Sequence, residues 1–212
     1  GRSADNDPGL SALLNSNTKA ICIVGKSWDF HVDVALGISN EENLENISES
    51  TKLFVKEKKE FMFDAEHFFD GFKANKKYAT QCIKSALNAG AKGVVLCDTN
   101  GGSTPWEISE IVSKIRKIDT KSILGIHTHN DSDLGVANAL QAVLSGANQV
   151  QGTINGYGER CGNANLCSII ANLNLKMGIN CIADANLRKL YEVSNYINDL
   201  ANLPKNKTTF CR

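Results

Sequence analysis

Short apolar runs alternate along the chain with longer stretches in which apolar residues recur every three or four positions. Five runs read as β-strands: AICIVG (20–25), FMFDA (61–65), GVVLC (93–97), ILGIH (123–127) and QVQGTI (149–154). Most are nearly continuously apolar and rich in β-branched or aromatic residues, the pattern of strands covered on both faces. Between them lie helical periodicities. One starts near Glu41 with Leu44, Ile47, Phe54 and Val55 on its stripe, and Ser39-x-x-Glu42 ahead of it fits a capping box. A second runs from about Asn75 to Asn88, carries Tyr78, Cys82, Ile83, Ala86 and Leu87, and stops at Gly90. A third opens with Thr104-Pro105-x-Glu107: an N-cap, a proline at the first helical position and a capping glutamate. Trp106, just inside that helix, is expected in the core. Further helices are expected at about 133–145, 163–177 and 185–202.

Successive strands begin roughly 26 to 40 residues apart, the size of a βα unit. Strands joined by helices imply a parallel sheet, and periodicity leaves two architectures open. One is an open doubly wound sheet, the other part of a (β/α)₈ barrel, which in full takes about 250 residues.

Composition narrows the function classes. Of 212 residues, Lys plus Arg and Asp plus Glu number 23 each, so no global field draws the chain to nucleic acid or an anionic membrane. No apolar run approaches a membrane span, and the N-terminal GRSADNDPGL lacks the apolar core of a signal peptide. It also lacks an initiating Met, so the start of the protein is expected upstream. The seven cysteines are odd in number and form no C-x-x-C pair, which favours reduced, mostly buried thiols and a cytoplasmic location. Cys161 and Cys167 lack the second pair that would complete a structural zinc site.

The reactive side chains gather after the strands. Lys26-Ser27-Trp28-Asp29 follows the first, Asp64-Ala65-Glu66-His67 ends the second, and Asp98-Thr99-Asn100-Gly101-Gly102 follows the third. His127-Thr128-His129-Asn130-Asp131 ends the fourth, and Asn155-Gly156-Tyr157-Gly158-Glu159-Arg160-Cys161-Gly162-Asn163 follows the fifth. The opposite connections, Ala89-Gly90-Ala91 and Ser145-Gly146-Ala147, carry no chemistry. Clustering at strand C-termini is the arrangement of α/β active sites in barrels and open sheets alike. His127 and His129 share a strand face, because side chains alternate, and two imidazoles beside carboxylates suit a divalent metal. Glu66 and Asp98 are candidate ligands or acid–base groups, and Asp131 is a candidate to orient a ligating imidazole. The glycine-rich stretch suits close approach to a ligand, with a helix expected to begin near Gly162 and offer amides to an anion.

GKSWDFHV, DAEHFFDGFKAN, LCDTNGG, GIHTHND and QVQGTINGYGERCGNANL together resemble the acyl-CoA condensing enzymes of the DRE-TIM metallolyase group, which includes 2-isopropylmalate, homocitrate and citramalate synthases. The likeness is to the citramalate synthase branch, and G-E-R-x-G-N favours a synthase over the lyase that shares the barrel. The resemblance implies a (β/α)₈ TIM barrel, here incomplete: residues 1–212 would form a partial barrel domain of strands four to eight, with 179–212 beginning the segment after it. It implies metal-dependent Claisen condensation of acetyl-CoA with an α-keto acid, pyruvate giving citramalate, followed by thioester hydrolysis, in branched-chain amino-acid biosynthesis. Carried over by position, His127, His129 and Asn163 would hold a divalent metal (Mg, Mn or Zn). Glu66 would be catalytic, Thr99 would hold the keto-acid carboxylate, and Lys26 and Ser27 would sit on the substrate side. A larger keto acid, as in 2-isopropylmalate or homocitrate synthases, and a non-catalytic metal-binding fragment are the alternatives.

The chain departs from the family pattern in having no strand with the Arg-Asp pair that supplies an acidic ligand. On this reading the 212 residues alone are expected to show little activity, and open sheet edges are expected to be covered by pairing into a homodimer.

Overall fold

The computed structural model describes residues 4–203. A short helix α1 (Pro8–Leu14), capped by the Asp7 carboxylate accepting from the Leu10 N–H at 2.9 Å, precedes the first strand. In chain order there follow β1 (Ala20–Lys26), α2 (Asp29–His31) running into a π-helical turn at Val32–Leu36, α3 (Asn40–Lys56), β2 (Glu60–Glu66), α4 (Phe68–Ala74), α5 (Lys76–Asn88) and β3 (Gly93–Asp98). Then come α6 (Pro105–Ile118), β4 (Ile123–Thr128), α7 (Gly135–Leu144), β5 (Gln149–Gln151), α8 (Leu166–Lys176), α9 (Asp184–Leu187) and α10 (Leu190–Leu200).

The sheet order is β1-β2-β3-β4-β5 and every pairing is parallel. Each strand therefore lies beside the next in sequence, with no reversal of direction across the sheet. A doubly wound sheet reverses at a switch point, so this is the winding of a barrel segment.

Strand parity divides the sheet into two faces. Ile21, Phe61, Phe63, Val94, Leu96, Leu124 and Ile126 point outward and are buried with the helices in the main core. Phe54 of α3 stacks on Phe61 at 5.5 Å between ring centroids, and α6 adds Ile108, Ile111, Val112 and Ile115. Each such side chain contributes about 1.5–3 kcal/mol by leaving water. The opposite parity carries Cys22, Val24, Asp64, Cys97, His127 and Gln151. Val24, on the edge strand, is 61% exposed.

The first four predicted strands and the helices α3, α5 and α6 lie where the periodicity places them. Four differences have local causes. The predicted 185–202 helix is two helices, broken between Leu187 and Leu190. The 75–88 helix is preceded by a separate α4, and Asn75 ends one and caps the other, accepting from the Tyr78 N–H at 3.2 Å. Trp106, expected in the core, is 72% exposed. It stands two residues before Ile108, about 200° around the helix from the buried stripe. The fifth strand ends at Gln151, because the chain turns away at Gly152, where a Cβ would stand 2.5 Å from the Ala164 carbonyl. Residues 204–212, which include Cys211 and the end of the expected post-barrel segment, lie outside the described residues.

Candidate functional site

The C-terminal ends of the strands surround a cavity of about 300 Å³ lined by Val24, Asp64, Glu66, Cys97, Thr99, His127, His129, Glu159 and Asn163. Five of the seven site residues expected from the sequence therefore meet in one place. Strand geometry puts them there: Asp64 and Glu66 share a face of β2, and His127 pairs in register with Cys97 on one side and Gln151 on the other.

The two imidazoles lie 5.2 Å apart between centroids. His127 Nδ1 is 2.9 Å from the Gln151 side-chain oxygen. His129 is buried, and its backbone forms a bridge with Asn163. Burial first, and His127 second, lower the His129 pKa, so its neutral form is favoured. His129 Nδ1 and Asn163 Oδ1 are both shut off from solvent without a hydrogen-bond partner. Buried polar atoms are almost always paired, so two such orphans side by side, both acceptors when the neutral His129 imidazole carries its proton on Nε2, mark a place suited to a cation. The glycine loop packs tightly here: a Cβ on Gly158 would stand 2.4 Å from the Asn163 amide nitrogen, and one on Gly162 2.2 Å from the Gly156 carbonyl.

Glu66 is ion-paired with Lys26, its register partner on β1, and both side chains are about one quarter exposed. Thr99 Oγ1 accepts from the backbone N–H of His67 at 2.8 Å, which leaves the hydroxyl proton for another acceptor. Ser27 is not brought into the cavity. It is completely buried, and its hydroxyl donates to the Glu66 carbonyl at 2.7 Å, tying the ends of β1 and β2 together.

Three further sequence expectations are corrected. The Asp98 carboxylate does not reach the cavity: it is 1% exposed and accepts from the Ser103 hydroxyl at 3.0 Å and the Asn138 amide at 3.4 Å. Asp131 does not orient an imidazole. It binds Arg160 through both oxygens at 3.1 and 3.2 Å, while Arg160 also donates to the Thr99 carbonyl at 2.6 Å. That guanidinium joins the loops after β3, β4 and β5. The helix expected from Gly162 starts at Leu166, where the Asn165 side chain caps it by accepting from the Cys167 N–H at 3.0 Å.

Sequence patterns did not reveal the support from α10. Asn155, in the left-handed region at φ 61°, donates to the Ser194 carbonyl at 2.9 Å and to Asn198 at 2.8 Å, and Tyr157 also donates to Asn198. Ser194 and Asn198 are buried on an amphipathic helix, where polar residues facing inward were the one available signal.

The HMGL-like family model matches residues 5–197. The chain belongs to the HMGL-like family. Among curated relatives, the (R)-citramalate synthase of Geobacter sulfurreducens is 55% identical over 96% of this chain, which spans 38% of that protein. The 2-isopropylmalate synthase of Sulfolobus acidocaldarius is 31% identical over 92% of the chain and 49% of its own length. Among solved structures, the hydroxymethylglutaryl-CoA lyase of Pseudomonas aeruginosa superposes with a TM-score of 0.79 at 16% identity, covering 96% of this chain and 70% of that one. The five parallel strands are thus part of a TIM-barrel fold. HMGL-like enzymes generally use a divalent metal. Among the described residues no three His, Cys, Asp or Glu side chains form a ready ligand cluster. The donors that fit a cation are two imidazoles and an amide oxygen, a mixed set suited to a borderline or hard metal.

Proposed function

We propose that this chain carries part of the active site of an enzyme that joins acetyl-CoA to pyruvate, giving citramalate and, after thioester hydrolysis, free CoA. The observation that carries this reading is the meeting of His127, His129, Asn163, Glu66 and Thr99 on one cavity, with two buried polar atoms, His129 Nδ1 and Asn163 Oδ1, left unpaired. The greater likeness to a citramalate synthase than to a 2-isopropylmalate synthase supports pyruvate over a larger keto acid.

His127, His129 and Asn163 would hold the divalent metal, which when bound polarises the keto carbonyl as a Lewis acid. The remaining residues act around it. Thr99, whose oxygen is engaged by the His67 N–H, has its proton free to donate to the keto-acid carboxylate. Glu66 is the proton-handling group of this wall. Lys26 engages Oε2 and leaves Oε1 free to hold a proton at the reacting carbons. The Arg160 bridge ties the glycine loop to the loops after β3 and β4 at the rim of the cavity.

The test is a chimera in which these residues replace the matching segment of the Geobacter sulfurreducens relative. Release of CoA with pyruvate, lost on Glu66→Gln, is expected. A chimera that melts cooperatively but turns over only larger keto acids, or none, overturns the reading. The proposal includes a homodimer, since among the described residues β1 has one edge without a strand partner and carries the exposed Val24. Sedimentation as a monomer at micromolar concentration would remove that part.

A further inference from the structure

A chain of hydrogen bonds runs across the inner face of the sheet from β1 to β4. The Cys22 thiol donates to Asp64 Oδ1 at 3.0 Å. The Gln151 amide nitrogen donates to the same oxygen at 3.1 Å. The Gln151 carbonyl oxygen then lies 2.9 Å from His127 Nδ1. A carboxylate offers only acceptors, so Asp64 fixes which end of the Gln151 amide faces it, and the amide oxygen must face the imidazole. An amide oxygen can only accept, so the proton of a neutral His127 belongs on Nδ1. Nε2 is left as the ring nitrogen with a free lone pair, and it makes no hydrogen bond among the described residues.

We propose that Asp64 and Gln151 are positioning residues that hold His127 in the Nδ1–H tautomer, presenting Nε2 as the donor to a metal. This deepens the proposed function and rests on it only for the role of His127 as a ligand. An orienting partner on the second ring nitrogen sets both the tautomer and the direction of a ligating imidazole, and its loss typically weakens metal affinity about 10–100-fold. The Asp64–Gln151 pair spans β2 to β5, 87 residues apart in sequence, so the orientation is set by the barrel curvature and not by a local turn.

The experiment uses the metal-free 212-residue chain with isotope-labelled imidazoles, read by long-range proton–nitrogen correlation, and then Mn²⁺ titration of the same samples. In the parent chain His127 is expected as a single Nδ1–H tautomer. Gln151→Met, similar in volume but without the acceptor, should give a mixed tautomer and about 10–100-fold weaker Mn²⁺ binding. The double exchange Gln151→Glu with Asp64→Asn keeps an acceptor toward His127 and a donor–acceptor contact between β2 and β5, and should restore the tautomer, while His129 stays unchanged as the internal reference. A parent His127 protonated on Nε2, or a tautomer unaffected by Gln151→Met, overturns the inference. If the tautomer behaves as expected but the parent chain binds no Mn²⁺, the positioning role stands and the metal-ligand reading fails.

Discussion

On its outer face the sheet presents Ile21, Phe61, Phe63, Leu96, Leu124 and Ile126 to the helices, all buried among other carbon atoms. On its inner face it presents Cys22, Asp64, Gln151 and His127, joined by directional hydrogen bonds. The outer face gains from area removed from water and tolerates any shape that fills the space. The inner face gains little stability from its polar groups, and each must be placed to a few tenths of an ångström. Stability and chemistry are thus divided between alternate residues of the same strands.

The largest effect that would break this division belongs to the outer face. Phe61→Ala removes a fully buried ring stacked on Phe54, and a loss of about 3–5 kcal/mol in urea unfolding is expected. His127→Ala, on the inner face, should abolish Mn²⁺ binding while lowering stability by about 1 kcal/mol or less. If His127→Ala destabilises as much as Phe61→Ala, or leaves metal binding unaltered, the division fails.

The smallest effect sharpens the boundary between the faces. Burial pushes the Asp98 carboxyl above its ordinary range, against hydrogen bonds from Ser103 that pull it down. The folded state therefore holds this proton more tightly than the unfolded chain. The stabilisation is full below the ordinary carboxylate pKa and is lost as pH rises through the raised value. Asp98→Asn should flatten that part of the pH dependence of the urea midpoint. An unchanged slope would show that Asp98 is not its source.

Most of the outer face was legible. The expected strands at 20–25, 61–65, 93–97 and 123–127 each lie within a residue of the observed β1 to β4, because apolar runs bounded by polar residues mark strand ends directly. Elements α1, α2 and α4 were not read. They are short and depend on single caps or turns, such as Asp7, Asn75 and Gly37 at φ 64°, more than on a long apolar stripe. In the site, Lys26, Glu66, Thr99, His127, His129 and Asn163 stand near strand ends as expected. Ser27 and Asp98 carry equally suitable chemistry, yet their side chains turn away from the cavity. Parity explains both: Ser27 follows inward-facing Lys26, and Asp98 follows inward-facing Cys97, so each turns the other way. Asp64 and Gln151 were passed over because an acid and an amide inside strands look like ordinary polar residues. Their roles depend on a contact between β2 and β5 that local sequence does not display.

The sequential strand order has a kinetic meaning. Neighbouring strands pair residues only 24 to 40 positions apart. Closing loops of such similar length costs nearly the same entropy, since the cost grows only with the logarithm of length. No pairing must therefore wait for a distant segment, and the sheet can assemble in the order of synthesis, each strand docking on the last as it leaves the ribosome. The Asp64–Gln151 contact cannot form until β5 arrives, so in this growing chain the sheet precedes the orientation of His127.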